Sequence, residues 1–70
     1  MEPIVIYVYI VLGHFDYEGS TPLGVFFLLD GPDGARTFAE TVTGYDSVSI
    51  ERSPVGKAHA FENVAEWEIV

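Results

Sequence analysis

The feature that most constrains the fold is an apolar run near the beginning of the chain. Residues 4–12 contain nine apolar side chains in succession, β-branched, aromatic or leucine, and no charge. Such residues favour strands, and nine are too few for a membrane-spanning helix, which needs about 20. Both faces of the strand are apolar, which is typical of a central strand covered on both sides. The run therefore predicts a first strand over residues 3–12, in the middle of a sheet.

Apolar periodicity and turn residues predict three more strands and one helix. A second strand over residues 22–29 is expected to pair with the first as an antiparallel hairpin. After the turn formers at 30–34, apolar residues at helical spacing predict a helix over residues 32–43. Alternation predicts a third strand over 47–52 and a fourth over 61–69. The chain is therefore expected to be one α+β domain over residues 1–70, a four-stranded, mainly antiparallel sheet (β-β-α-β-β) with one helix packed on one face.

One helix covers one face of the sheet, so the two faces should differ. We expect a core made of Ile6, Val8, Val25, Phe27, Phe38, Val42, Val48, Ile50 and Trp67. The opposite face would carry Tyr7, Tyr9 and Phe26, and that surface is too apolar to be left in water. Loops, a second copy of the chain or a partner could cover it, so both a monomer and a homodimer remain open.

The charge of the chain constrains its partners. Eleven carboxylates stand against three strong bases, which gives a formal net charge of −8. This charge disfavours direct binding to nucleic acid or to an anionic membrane, and it favours a positively charged protein or nucleoprotein partner. The most strongly positive surfaces in a cell are those that hold nucleic acid.

Residue patterns for catalysis and cofactor binding are missing. The chain has no cysteine, and its two histidines are too few for a structural metal cage. No serine lies in a nucleophile elbow, residues 30–34 do not fit a calcium-binding EF-hand loop, and phosphate-cradling glycine motifs are absent. The apolar run lacks a basic segment before it and a small-residue cleavage site after it. We therefore expect a non-enzymatic cytoplasmic protein without a cofactor or metal ion.

The carboxylates are the remaining candidates for a functional site. Glu66 and Glu68 should project from one face of the fourth strand, about 6.6 Å apart, and Glu62 should continue this row. Such rows can stand in for a phosphate backbone before a cationic groove, although acidic residues also solvate a surface and protect an edge strand. Together with the two tyrosines of the aromatic face, the candidate partner-binding residues are Tyr7, Tyr9, Asp16, Glu18, Asp30, Asp33, Glu62, Glu66 and Glu68.

The order of the segments carries a resemblance to a known class of proteins. The segments are residues 7–11, the Asp-Tyr-Glu-Gly loop at 16–19, residues 23–26, the helix with Phe38 and Ala39, and residues 45–51. They resemble small phage and mobile-element proteins with the same plan, and the chain looks like an anti-CRISPR protein. In several anti-CRISPR families the protein blocks target-DNA binding by occupying cationic surfaces of the surveillance complex. The resemblance implies the same role here and assigns no site residue. The departure from the usual charged, serine-rich segment at residues 28–32 bears on the start of the helix.

Two functional hypotheses follow. The first is a non-enzymatic acidic inhibitor that mimics DNA and blocks a nucleic-acid-binding surface, as an anti-CRISPR protein of a phage would in its host cell. The alternative is a small structural or assembly protein that dimerises through the aromatic sheet face with Tyr7, Tyr9 and Phe26.

Overall fold

Four strands and one short helix follow one another in the predicted order. The computed structural model describes residues 5–69 of the chain. The elements are β1 (Tyr7–Phe15), β2 (Gly19–Phe26), α1 (Ala35–Ala39), β3 (Ser47–Pro54) and β4 (Glu62–Glu68). The strands form one antiparallel sheet in the order β2-β1-β3-β4. The α+β class, the β1–β2 hairpin and the central position of β1 are thereby confirmed.

The hairpin is longer than predicted because its turn takes only residues 16–18. β1 therefore continues three residues beyond its predicted end, and Gly19, with a φ of +87°, begins β2 in a conformation that favours glycine. β2 ends at Phe26, so the predicted continuation over 27–29 is wrong, and the Phe27 side chain is 76% exposed. β1 begins at Tyr7, so the predicted strand is wrong for residues 5 and 6, and its predicted start at residues 3 and 4 lies outside the described residues.

The helix has five residues where the sequence predicts twelve. Its beginning is set by Gly34, whose extended backbone precedes the first helical turn. A Cβ atom at this position would lie 2.5 Å from the carbonyl oxygen of Asp30, so the tight turn before the helix requires glycine. The predicted apolar stripe is nevertheless correct: Ala35 and Ala39 are buried, and Phe38 and Val42 pack against them. Among residues 5–69, no helix is both long and apolar enough to cross a membrane.

The helix packs on the sheet face that was expected to be open. Val11, Val48 and Ile50 are fully buried beneath it, and the strand register places Tyr9 and Phe26 on the same face as Val11. Both aromatic side chains pack against this core. The prediction that the aromatic face lies opposite the helix is therefore wrong for Tyr9 and Phe26.

The opposite face of the sheet carries an apolar patch that α1 does not cover. We call this surface the open face; its apolar residues are Val8, Ile10, Leu12 and Val25. Val8 and Val25 were expected in the core, but Val8 is half-buried on the open face and Val25 is 64% exposed. Ile6, also expected in the core, is 56% exposed.

Two glycines explain why the helix packs where it does. Gly13 and Gly24 lie on the same sheet face as Val11. The Tyr45 ring occupies the space above Gly13, and a Cβ atom at Gly24 would stand 2.9 Å from the Phe26 ring and 3.8 Å from the Phe38 ring. The missing side chain at Gly13 makes room for Tyr45, from the segment between β2 and β3. The missing side chain at Gly24 makes room for the Phe26 ring of β2, which in turn packs against Phe38 of α1. The expected core residues Val48 and Ile50 are buried as predicted, and Trp67 and Val42 are half-buried against them.

Candidate functional site

Carboxylates collect at one end of the sheet. β1 and β4 end there and β2 and β3 begin there, as the pairs Phe15–Gly19 and Ser47–Glu68 show. The chain places five acidic residues at this end. Two lie in the hairpin turn, one lies immediately before β3, and two lie in the last three residues of β4. We call this set the acidic end; its members are Asp16, Glu18, Asp46, Glu66 and Glu68.

A shallow cleft of about 400 Å³ brings most of these acids together. Its lining residues, none of them basic, are Asp16, Asp46, Ser47, Glu66, Trp67, Glu68 and Ile69. The Asp16 backbone N–H donates to Oδ2 of Asp46 over 2.8 Å, which ties the hairpin turn to the start of β3. The Asp46 backbone in turn donates to the carbonyl of His14 and accepts from the N–H of Ile69, each over 2.9 Å. Backbone hydrogen bonds to β1 and to the end of β4 thus hold the cleft in shape.

The strong bases of the chain lie away from the acidic end. Arg36, on the helix, pairs with Asp30 over 3.1 Å. Arg52 pairs with Glu62 over 2.7 Å at the other end of the sheet, and Lys57 follows β3 at that same end. Among residues 5–69, no ion pair compensates the negative charge of the acidic end.

Four of the predicted site residues come together, and three acids do not. Asp16 and Glu18 lie at the same end of the sheet as Glu66 and Glu68, although they are about 50 residues apart in sequence. Glu18 lies at this end but does not line the cleft, and the remaining predicted acids, Asp30, Asp33 and Glu62, do not line it either. Asp30 is engaged by Arg36, and Asp33 lies in the exposed turn before α1. The structure thus divides the predicted set into an assembled group and outlying residues.

The predicted row of three glutamates on β4 is wrong because of a β-bulge. Ile50 pairs with Ala65, but its neighbour Glu51 pairs with Asn63, so Val64 is an extra residue in β4. A bulge breaks the alternation of side chains between the two faces. Glu62 therefore lies on the helix face opposite Arg52, whereas Glu66 and Glu68 lie on the open face.

Arg52 joins Glu62 to Tyr7 on the helix face. Its Nε donates to Oε2 of Glu62 over 2.8 Å, and its guanidinium group lies 4.8 Å from the centroid of the Tyr7 ring. The hydrogen bond and the negative charge of Glu62 raise the pKa of Arg52 above its ordinary value. Tyr7 thus lies against a cation and Tyr9 beneath the helix, so the two tyrosines do not form an open aromatic surface.

Two residues of this region, Asp46 and His14, are not among the site residues predicted from the sequence. Asp46 supports the cleft with its backbone and its carboxylate; its only signal was its position directly before the third strand. His14 lies at the end of β1 on the open face, where Nδ1 contacts Oγ of Ser20 over 2.5 Å and Nε2 contacts Oγ of Ser49 over 2.6 Å. Because Ser20 and Ser49 belong to different neighbours of β1, the imidazole links three strands. The predicted β1 ended before His14, which hid this link.

Within residues 5–69, His, Asp and Glu side chains form no cluster that could hold a metal ion. No model of a known family, no curated protein and no solved structure matches this chain.

Proposed function

We propose that this chain is a non-enzymatic inhibitor that binds a positively charged, nucleic-acid-binding surface of another protein or nucleoprotein complex. The observation that carries the proposal is the acidic end: five carboxylates at one end of the sheet, most of them around one cleft, and none paired with a base in the described part of the chain. Such a surface attracts cationic surfaces and repels nucleic acid and anionic membranes.

The arrangement of the acids supports mimicry of phosphates. Glu66 and Glu68 are both exposed and stand two residues apart on β4, an edge strand of the sheet. At a rise of about 3.3 Å per residue, their positions are about 6.6 Å apart along the strand. They present successive negative charges on a rigid strand, and Asp16 and Glu18 add charge from the hairpin turn. A groove lined with Lys and Arg could therefore bind this end as it binds the phosphate backbone of a nucleic acid.

The proposed partner can be stated more narrowly. We propose that the partner is a CRISPR surveillance complex in the cytoplasm of a host cell, and that the chain is an anti-CRISPR protein of a phage or mobile element. The support is the small size, the acidity and the order of the segments, together with the acidic end. The alternative of dimerisation through the aromatic face receives no support, because α1 occupies the face that holds Tyr9 and Phe26.

Paired charge reversals test the proposal. Glu66→Lys with Glu68→Lys, and separately Asp16→Lys with Glu18→Lys, should weaken binding to purified surveillance complexes by about tenfold or more. The change should lie mainly in the association rate, which steering between exposed charges controls. Added salt should also weaken binding of the parent chain, since exposed charges are screened over about 8 Å at physiological ionic strength.

The matched control is Asp33→Lys with Glu40→Lys. This pair makes the same change in net charge at exposed positions that do not line the cleft. It should retain most of the binding, and DNA should compete with the parent chain for the complex. Full binding and full inhibition of DNA capture by both double reversals would refute the role of the acidic end.

A further inference from the structure

The open face combines an apolar patch with carboxylates in a fixed register. Val8, Ile10 and Leu12 follow one another at alternate positions of β1, and Val25 stands beside Ile10 on β2. These are the residues that a buried sheet face would carry, yet the one helix among the described residues packs on the other side.

The carboxylates of this face lie to one side of the apolar patch. Glu51 on β3 is the direct neighbour of Ile10, and Glu66 on β4 lies two strands from Leu12, beyond Ser49. Glu68 stands in the same way beyond Ser47. Apart from His14 and Ser20 near the hairpin turn, the half of the open face over β1 and β2 is therefore apolar. The half over β3 and β4 carries the carboxylates, with serines between them and β1.

The dimensions of this face fit one kind of occupant. Neighbouring strands are about 4.8 Å apart, so the acidic row on β4 lies about 10 Å from β1, which is close to the diameter of an α-helix. The apolar row from Val8 to Leu12 spans about 13 Å, which corresponds to about nine residues of helix at a rise of 1.5 Å.

We propose that the open face binds a basic amphipathic helix of the partner protein. The apolar stripe of that helix lies along β1 and β2, and its Lys and Arg side chains lie over Glu51, Glu66 and Glu68. The inference rests on the proposed function, because it requires a positively charged partner, and it adds the structural element by which the partner is recognised.

Charge decides between this occupant and a second copy of the chain. A copy packed face to face would bring its own three glutamates against those of the first, and each chain carries a net charge of −8. Like charges brought together in an interface oppose association. A helix with an apolar stripe and basic residues on one flank can contact the apolar half of the face and pair with the glutamates of the other half.

Two peptides of about 20 residues, made only of leucine and lysine, probe the surface of the intact chain. In one, the leucines form a single helical stripe; in the other, the same residues are arranged so that leucine is spread around the helix. Fluorescence anisotropy with labelled peptides should show at least about tenfold tighter binding of the striped peptide. Equal binding of the two peptides would overturn the proposal.

Substitutions that keep the charge locate the contact. Val8→Thr, Ile10→Thr and Val25→Thr together keep β-branched side chains on the strands and should weaken binding of the striped peptide about tenfold. The matched control, Val5→Thr with Leu28→Thr, changes apolar residues that are 56% and 58% exposed, one before β1 and one between β2 and α1, and it should leave binding unchanged. If the triple variant does not fold, Val25→Thr alone, at a position that is 64% exposed, should still weaken binding about threefold.

The same variants separate this inference from the proposed function. Loss of binding to the surveillance complex on reversal of Glu66 and Glu68, with full binding by the folded threonine variants, would overturn the helix-binding role and leave the acidic inhibitor in place. Loss of binding in both sets supports both.

Discussion

The ring of Tyr45 lies over Gly13, where a side chain on β1 would otherwise stand. A Cβ atom at this position would be 2.6 Å from Cδ1 of Tyr45. The same ring packs against Phe15, with ring centroids 4.8 Å apart. An aromatic ring over a strand glycine compensates for the missing side chain. The contact anchors the segment before β3 on β1, and it places Asp46 beside the hairpin turn.

Gly13→Ala should therefore destabilise the fold. The added methyl group cannot fit unless the Tyr45 ring moves, and overpacking of this kind costs about 1–3 kcal/mol. Urea denaturation followed by tryptophan fluorescence would measure the change in the free energy of unfolding. The control is a double-mutant cycle with Tyr45→Ala, in which the added methyl group should cost much less once the ring is absent. An equal cost in both backgrounds would show that the ring is not the obstacle.

Phe38→Ala should lower the free energy of unfolding far more than Phe27→Ala. Phe38 lies 5.2 Å from Phe26 between ring centroids and packs against the core, whereas Phe27 is 76% exposed. Loss of a fully buried Phe ring costs about 3–5 kcal/mol; Phe38 is half-buried, so we expect about 2–3 kcal/mol. Phe27→Ala should change stability by less than about 0.5 kcal/mol. Thermal or urea denaturation of the two variants makes the comparison, and equal effects would contradict the assignment of the helix face.

Ser49→Ala and Ser20→Ala remove the two hydroxyl contacts of one imidazole. Ser49 is 1% exposed and Ser20 is exposed. Ser49→Ala leaves Nε2 of His14 without its hydrogen-bond partner at a buried position that water does not easily reach. The free energy of unfolding should therefore fall by about 1–2 kcal/mol. When Ser20 is changed, water can replace the hydroxyl and the cost should be small. Denaturation midpoints would show the difference, and a larger effect of Ser20→Ala would reverse our view of which contact is structural.

The order of elements could be predicted from the sequence because each strand has its own signature. The alternation that places Val48 and Ile50 inward on the third strand holds in the structure, as does the stripe with Ala35 and Ala39. The choice of the covered face could not be made from periodicity, because β1 is apolar on both sides. The signal that decides it, Gly13 and Gly24 on one face, has meaning only when the pairing of the two strands is known.

The candidate site was predictable only in part, because the pairing of the strands decides which acids come together. The pairs Asp16 with Glu18 and Glu66 with Glu68 were identified from local spacing, but their approach to one another depends on the strand order β2-β1-β3-β4. The separation of Glu62 from the other glutamates depends on the extra residue Val64 in β4. Nothing in the local sequence marks this bulge, since Asn63, Val64 and Ala65 are all compatible with a regular strand.

The uneven placement of charge along the strands affects how the molecule is oriented as it diffuses toward a charged surface. With the acidic end at one end of the sheet and Arg52 and Lys57 toward the other, the charges of residues 5–69 give an electric dipole moment along the strands. In the field of a positively charged surface, such a molecule rotates during its approach, and the acidic end arrives first. In the proposed complex, orientation during diffusion therefore depends on Arg52 and Lys57, at the far end of the sheet, as well as on the acidic end itself.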